Sequence, residues 1–167
     1  MSERENGPSL RSLLGRIIRL RLDPGQVTRL DKGIFTETGD PVFERLLAEA
    51  TGGRRDGPVE LQPNWTPGER AVFTTRFVVD EFDSTGPLGL LANGVRPLLD
   101  EAIAGFRLFG LDEHADAIEK LIVAGFNAES SDEDADVLEF AEDWYNLEDA
   151  DPARAAYVQS HPEEFRP

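Results

Sequence analysis

The chain has 167 residues, is 40 % hydrophobic, and sets 17 Lys/Arg against 33 Asp/Glu for a formal charge of −16 at pH 7. That length suits one folded domain with a real core, and so negative a field argues against direct binding to nucleic acid or to an anionic membrane surface. With no cysteine there is no disulfide, thiolate metal site or cysteine nucleophile, and no apolar run approaches the ~20 residues that span a bilayer, so a cytoplasmic location is the expectation.

Near the N-terminus Leu10, Leu13, Leu14, Ile17 and Ile18 share one helical face, with Ser9 as N-cap and Asp23-Pro24-Gly25 as the stop. Arg11, Arg16 and Arg19 occupy the rest of the surface. The arginines resemble a presequence, but Glu3, Glu5 and the lack of a small-residue cleavage site argue against one. This amphipathic helix is expected to dock on the chain's own core or acidic half, a membrane-surface or intersubunit role being the second reading. Residues 26–39 show no period.

Asp40-Pro41 reads as N-cap and first helical residue of a short helix carrying Val42, Phe43, Leu46, Leu47 and Ala50, stopped by Gly52-Gly53. The stretch from Gly53 to Pro63 is rich in Gly, Pro and Arg and reads as a linker. The expected division is therefore an N-terminal arm over 1–60 and an acidic helical domain over 61–167.

Thr66-Pro67-Gly68-Glu69 is a capping box with proline at the first helical position, launching Val72, Phe73, Phe77, Val78 and Phe82. Thr74, Thr75, Val78 and Val79 are β-branched and would suit a strand, but cap and length favour helix. Gly86-Pro87-Leu88-Gly89 predicts a break, and Asn93-Gly94 a second before Pro97 re-enters helix. Val95, Leu98, Leu99, Ala102, Ile103, Phe106 and Phe109 then form the cleanest amphipathic pattern in the chain, ended by Gly110. Asp112 is expected to cap a partner helix with Ala115, Ile118, Leu121 and Ile122 inward and Gly125 near its end; the one-turn connection predicts an antiparallel hairpin. Ser131 is expected to cap the most acidic helix, anchored by Val137, Ala141, Trp144 and Tyr145, and Asp151-Pro152 to start a last helix stopped by His161-Pro162. The fold class expected is all-α: a single-core helical domain with an N-terminal amphipathic helical arm.

The charge is confined to one segment. Residues 80–151 hold twenty carboxylates against Arg96, Arg107 and Lys120, a local balance of −17, while residues 1–79 balance at +1 and 152–167 at zero. Self-repulsion on that scale disfavours compaction and exceeds what solubility requires, which points to a binding protein for a cationic macromolecule. Asp132, Asp136, Glu139 and Asp143 step by four, three and four along one helix, a row with roughly 5–6 Å between neighbours, comparable to phosphates along a DNA strand. Asp112 and Asp116, one turn apart on the preceding helix, complete the candidate partner-binding set. A solvated helix face gives the same spacing, and only the segment-wide imbalance favours a ligand.

Two other chemistries are weaker. Asp132, Asp134, Asp136 and Asp143 fall at ligand positions of a calcium-binding loop, but the required sixth-position glycine is Val137 and the twelfth ligand is not glutamate. His114 lies beside Glu113 and Asp116, yet the only other histidine is His161 and no HExxH, GxSxG or GxxxxGK[ST] occurs, so no catalytic residue, metal or cofactor is expected. Trp65 and Trp144 read as core or rim anchors.

Phe77 to Phe82 leading into a glycine-bearing break with Asn93, Leu98-Leu99-Asp100-Glu101-Ala102-Ile103 to Gly110, the helix Ala115 to Ile122, Leu138 to Leu147 with Trp144-Tyr145, and the closing Tyr157 to Phe165 together resemble the bacterial DNA mimic protein nineteen family. The resemblance covers roughly residues 66–166. It implies an all-α, non-enzymatic, dimeric acidic protein whose carboxylates imitate duplex phosphates and occupy the DNA-binding surface of a transcription regulator or nucleoid protein. The family's glycine-pair and aromatic-rich motif is replaced here by Gly86-Pro87-Leu88-Gly89-Leu90-Leu91-Ala92-Asn93. The alternative is an immunity or antitoxin-like protein neutralising a basic nuclease toxin.

Overall fold

The computed structural model describes residues 40–54, 59–92, 96–126 and 140–165. In chain order these give α1 (Pro41–Thr51), α2 (Pro67–Ala92), α3 (Arg96–Leu108), α4 (Asp112–Phe126), a helical run over 140–145 (α5), α6 (Asp151–Ser160) and a closing 3-10 turn, Pro162–Glu164. No strand occurs among the described residues, so the all-α expectation holds. The helix expected after Ser9 and the helix start expected at Ser131 lie outside them.

Local chemistry accounts for the ends. The Asp40 carboxylate accepts from the backbone N–H of Val42 at 3.0 Å and of Phe43 at 3.2 Å, satisfying two donors that α1 leaves without partners. At its other end Gly52 takes φ +60°, a conformation that costs an L-residue about 1–2 kcal/mol, and Gly53 N–H returns to Ala48 O at 2.8 Å. The capping box forms reciprocally: Glu69 N–H donates to Thr66 Oγ1 at 3.1 Å while Thr66 N–H donates to Glu69 Oε2 at 3.0 Å. Helix prevails over strand at Thr74 and Thr75 because their hydroxyls donate back to Arg70 O and Ala71 O, each at 2.7 Å, so neither buried hydroxyl is left without an acceptor.

The break expected at Gly86 is a kink. Gly86 alone leaves helical geometry, at φ 71° and ψ −176°, and Pro87, which lacks an N–H, restarts the helix. The restarted turn carries Leu90 into the core.

α2 is the centre on which the other elements pack. Phe73, Phe77 and Phe82 are all fully buried along it. Phe73 meets Phe43 of α1 at 5.8 Å and Trp65 at 5.1 Å, and Phe82 meets Trp144 at 5.1 Å and Phe140 at 5.7 Å. Burying each such ring is worth about 1.5–3 kcal/mol. α1 thus belongs to the same hydrophobic cluster as α2–α5, together with Val59 and Trp65 on the segment after it.

α3 crosses α2 closely at Gly105, where a Cβ would lie 2.9 Å from Ala71 Cα and 2.9 Å from Thr75 Cγ2. Gly110, at φ +73°, turns the chain into α4, whose Ala115, Ile118, Leu121 and Ile122 face inward as their spacing predicts. Two expectations need correction. Asp112 is the first residue of α4 and not its cap; the chain turns at Leu111, whose carbonyl accepts from Ala115 N–H at 3.2 Å, and Asp112 keeps only a favourable place at the positive helix end. Tyr145 is 68 % exposed, touching the core only through the edge of Phe82. Phe140, four residues before Trp144 and on its face, anchors α5 instead.

Candidate partner-binding surface

Helices with an apolar stripe turned inward leave their carboxylates facing water. Of the fourteen described Asp and Glu between residues 80 and 151, eleven are exposed; Asp80 and Glu101 are half-buried and Glu81 is buried. On α4, Asp112, Asp116 and Glu119 fall at i, i+4 and i+7 on the outer side, opposite Ala115, Ile118 and Ile122.

Asp143 of α5 is brought beside α4, its Oδ2 lying 4.0 Å from Lys120 Nζ. The structure therefore sets three of the predicted residues, Asp112, Asp116 and Asp143, on the exposed sides of two neighbouring elements. Asp132, Asp136 and Glu139 lie outside the described residues.

Cations interleaved with this surface are held in ion pairs. Arg107 reaches from α3 to Glu119 at 2.8 Å and Asp116 at 3.5 Å, and the two carboxylates raise its pKa. Exposed pairs of this kind contribute little to stability. Their effect here is geometric, since Arg107 ties the outer faces of α3 and α4 side by side.

A second group of charges is structural and was missed by the sequence reading. Arg76 of α2 bonds Asp80 at 2.9 Å and Asp151 at 3.0 Å, while Arg154 of α6, 6 % exposed, also bonds Asp151. Burial alone would raise the Asp151 carboxyl, but the Arg154 and Arg76 guanidinium groups outweigh it and hold the pKa below the ordinary value. At Asp80 burial wins over Arg76 and the pKa is raised. The pairs Arg76/Asp80 and Asp151/Arg154 are legible as helical spacings; their meeting across 75 residues is not.

A similar cluster holds α1 to α2: Arg45 bridges Glu49 at 3.0 Å and the fully buried Glu69 at 2.8 Å, and Trp65 Nε1–H donates to Glu49 at 2.6 Å. Trp65 and Trp144 are both buried, as expected of core anchors.

His114 is also a core residue. It is 5 % exposed, stacks on Phe106 at 5.2 Å and meets Trp144 edge-on at 5.6 Å. Burial lowers its pKa, favouring the neutral ring. Its Nε2 lies 2.9 Å from Glu148 O, and because a carbonyl only accepts, Nε2 carries the proton. Among the described residues no group of three or more His, Asp or Glu is arranged to hold a metal ion. None of their helices is long and apolar enough to cross a membrane.

No curated protein and no solved structure matches the chain. The family model described as DMP19-like protein matches residues 63–161, from just before the capping box of α2 to the end of α6, leaving α1 and the closing turn outside. That span is more than half of the chain, contains the α2–α4 core and the exposed carboxylates of α4 and α5, and accords with the motif order already noted. The chain belongs to the DMP19-like protein family, DMP19 denoting DNA mimic protein 19.

Proposed function

We propose that this chain is an acidic, non-enzymatic binding protein that works in the cytoplasm and seats the basic DNA-contacting surface of a transcription regulator or nucleoid protein on its carboxylates. One observation carries the reading: the acidic segment folds so that eleven of its fourteen described carboxylates face solvent, while Arg107 and Lys120 between them are taken up by Asp116, Glu119 and Asp143. The field outside is left negative. A partner's lysines and arginines meet such a surface as they meet phosphates, through charge-assisted hydrogen bonds and long-range attraction.

Asp112, Asp116 and Asp143 are the contact residues proposed within the described surface, and Asp132, Asp136 and Glu139 complete the set. A homodimer, the assembly implied by the family resemblance, would present the surface twice.

The test is capture on the immobilised full chain from native lysate, with stepwise elution by salt and then by duplex DNA. A DNA-binding protein released by duplex at constant ionic strength supports the reading, and its retention should fall as salt shortens the Debye length from ~10 Å at 0.1 M to ~3 Å at 1 M. Recovery of a single nuclease that duplex does not displace would replace it with the immunity-protein alternative. Absence of any salt-sensitive partner would remove both.

A further inference from the structure

The outer face of the α3–α4 hairpin is not uniformly polar. On α3 the exposed positions are Asp100, Ala104, Arg107 and Leu108; on α4 they include Asp112, Asp116, Glu119 and Val123. Leu108 is 42 % and Val123 58 % exposed, and Tyr145 is the remaining large apolar side chain exposed among the described residues. A face alternating carboxylates with exposed Leu and Val suits an amphipathic, cationic helix better than it suits water.

The chain contains such a segment. Residues 9–22 hold Arg11, Arg16, Arg19 and Arg21 with no acid, and Leu10, Leu13, Leu14, Ile17 and Ile18 at helical spacing. Four positive charges face a hairpin stripe of Asp100, Asp112, Asp116 and Glu119, against which only Arg107 is set. Reach is sufficient: the seventeen residues 23–39 span up to about 55–60 Å when extended. A domain of this size has a radius of gyration of only about 14 Å. Covalent attachment gives the segment an effective concentration on the order of millimolar at the hairpin, favouring it over a free cationic partner of equal intrinsic affinity.

We infer that residues 9–22 dock in cis on the outer face of the α3–α4 hairpin, with their arginines on Asp112, Asp116 and Glu119 and their apolar face over Leu108 and Val123. The segment thereby masks part of the acidic surface until a stronger cationic partner displaces it. The masking rests on the function proposed above; the docking is measurable with no partner present.

The absence of native cysteine permits a single nitroxide at Ser12→Cys on the full-length protein. Paramagnetic broadening of the Asp100–Leu108 and Asp112–Val123 amides at low salt is expected, and it should be lost at ~1 M salt and in the Arg11→Glu/Arg16→Glu/Arg19→Glu variant. That variant, without the label, should bind poly-L-lysine about five-fold tighter or more than the wild-type chain does. Unbroadened hairpin amides would overturn the docking. So would broadening confined to α1 and α2, or broadening seen only when spin-labelled chain is mixed with isotope-labelled chain, which would assign the face to a second copy. Broadening with unchanged poly-lysine affinity would overturn the masking. Capture from lysate fails or succeeds independently of the nitroxide result, so the two readings fall separately.

Discussion

Substituting Gly68 by alanine tests whether the C-terminal turn clips the start of α2. Glu164 Oε2 accepts from Gly68 N–H at 2.7 Å, Tyr157 O–H donates to Glu164 Oε1 at 2.8 Å, and Thr66 Oγ1–H donates to Glu164 O at 2.8 Å. The carboxylate sits at the positive end of α2, and burial followed by the bond to Glu164 pushes the Tyr157 pKa up to about 12. A Cβ on Gly68 would stand 2.6 Å from Glu164 Oε2 and 3.1 Å from Phe165 Cζ, so the Glu164 side chain must swing away and release both bonds. Losing a charge-assisted hydrogen bond costs about 1.5–3 kcal/mol, while replacing glycine in a helix returns about 0.5–1 kcal/mol. Gly68→Ala should therefore destabilise by about 1–2 kcal/mol in urea-induced unfolding. With Glu164→Ala in the background the cost should fall to within about 0.5 kcal/mol of zero, a coupling of about 1–2 kcal/mol. Equal effects in both backgrounds, or a stabilising Gly68→Ala in the otherwise wild-type chain, would refute the clip.

Gly105→Ala places a Cβ against the Ala71 backbone and, lacking a flexible neighbour to yield there, should cost about 1–3 kcal/mol by forcing α2 and α3 apart; a neutral thermal melt would contradict the close crossing. Because burial holds the His114 pKa below 6.5, the unfolded chain binds the proton more readily. Stability contributed by the neutral ring is thus complete above pH 6.5 and lost as pH falls toward the folded-state value. Comparison of unfolding free energies of wild type and His114→Asn between about pH 7.5 and 5.5 should show the steeper decline in wild type, and an NMR titration placing His114 at or above 6.5 would contradict it. Arg154→Met leaves Asp151 and Asp80 short of a buried cation and should destabilise by about 3 kcal/mol or more at neutral pH. Unchanged stability in that variant would show that α6 is held by its apolar contacts alone.

Helix ends were the most legible part of this chain because their causes are local. Asp40 before Pro41, Thr66 three residues before Glu69, and Gly52 and Gly110 after the last apolar position each act within four residues. The inward stripes of α3 and α4 followed from period alone, and with them the outward placement of Asp112 and Asp116. Legibility failed wherever distant segments meet. The contact of Glu164 with Gly68 spans 96 residues and that of His114 with Glu148 spans 34, and neither is implied by the residues flanking it. Gly86 was read as an end because glycine and proline together usually stop a helix; here leucine burial at Leu90 carries the helix past the kink. Tyr145 was assigned inward from its chemistry, whereas Phe140 and Trp144, four residues apart, already fill the face of α5 turned to Phe82. At the candidate surface, exposure of the carboxylates was foreseeable, but the approach of Asp143 to Lys120 depends on how α5 packs.

The most direct test of the account is a competition measurement: the DNA-binding protein recovered by duplex elution is bound to fluorescent duplex, and the full-length acidic chain is titrated in. The account predicts release of the duplex in proportion to the chain added, weaker inhibition at higher salt, and loss of inhibition in the Asp112→Lys/Asp116→Lys/Asp143→Lys variant. A ternary complex in which the partner keeps its duplex, or inhibition unaltered by the three reversals, would contradict it.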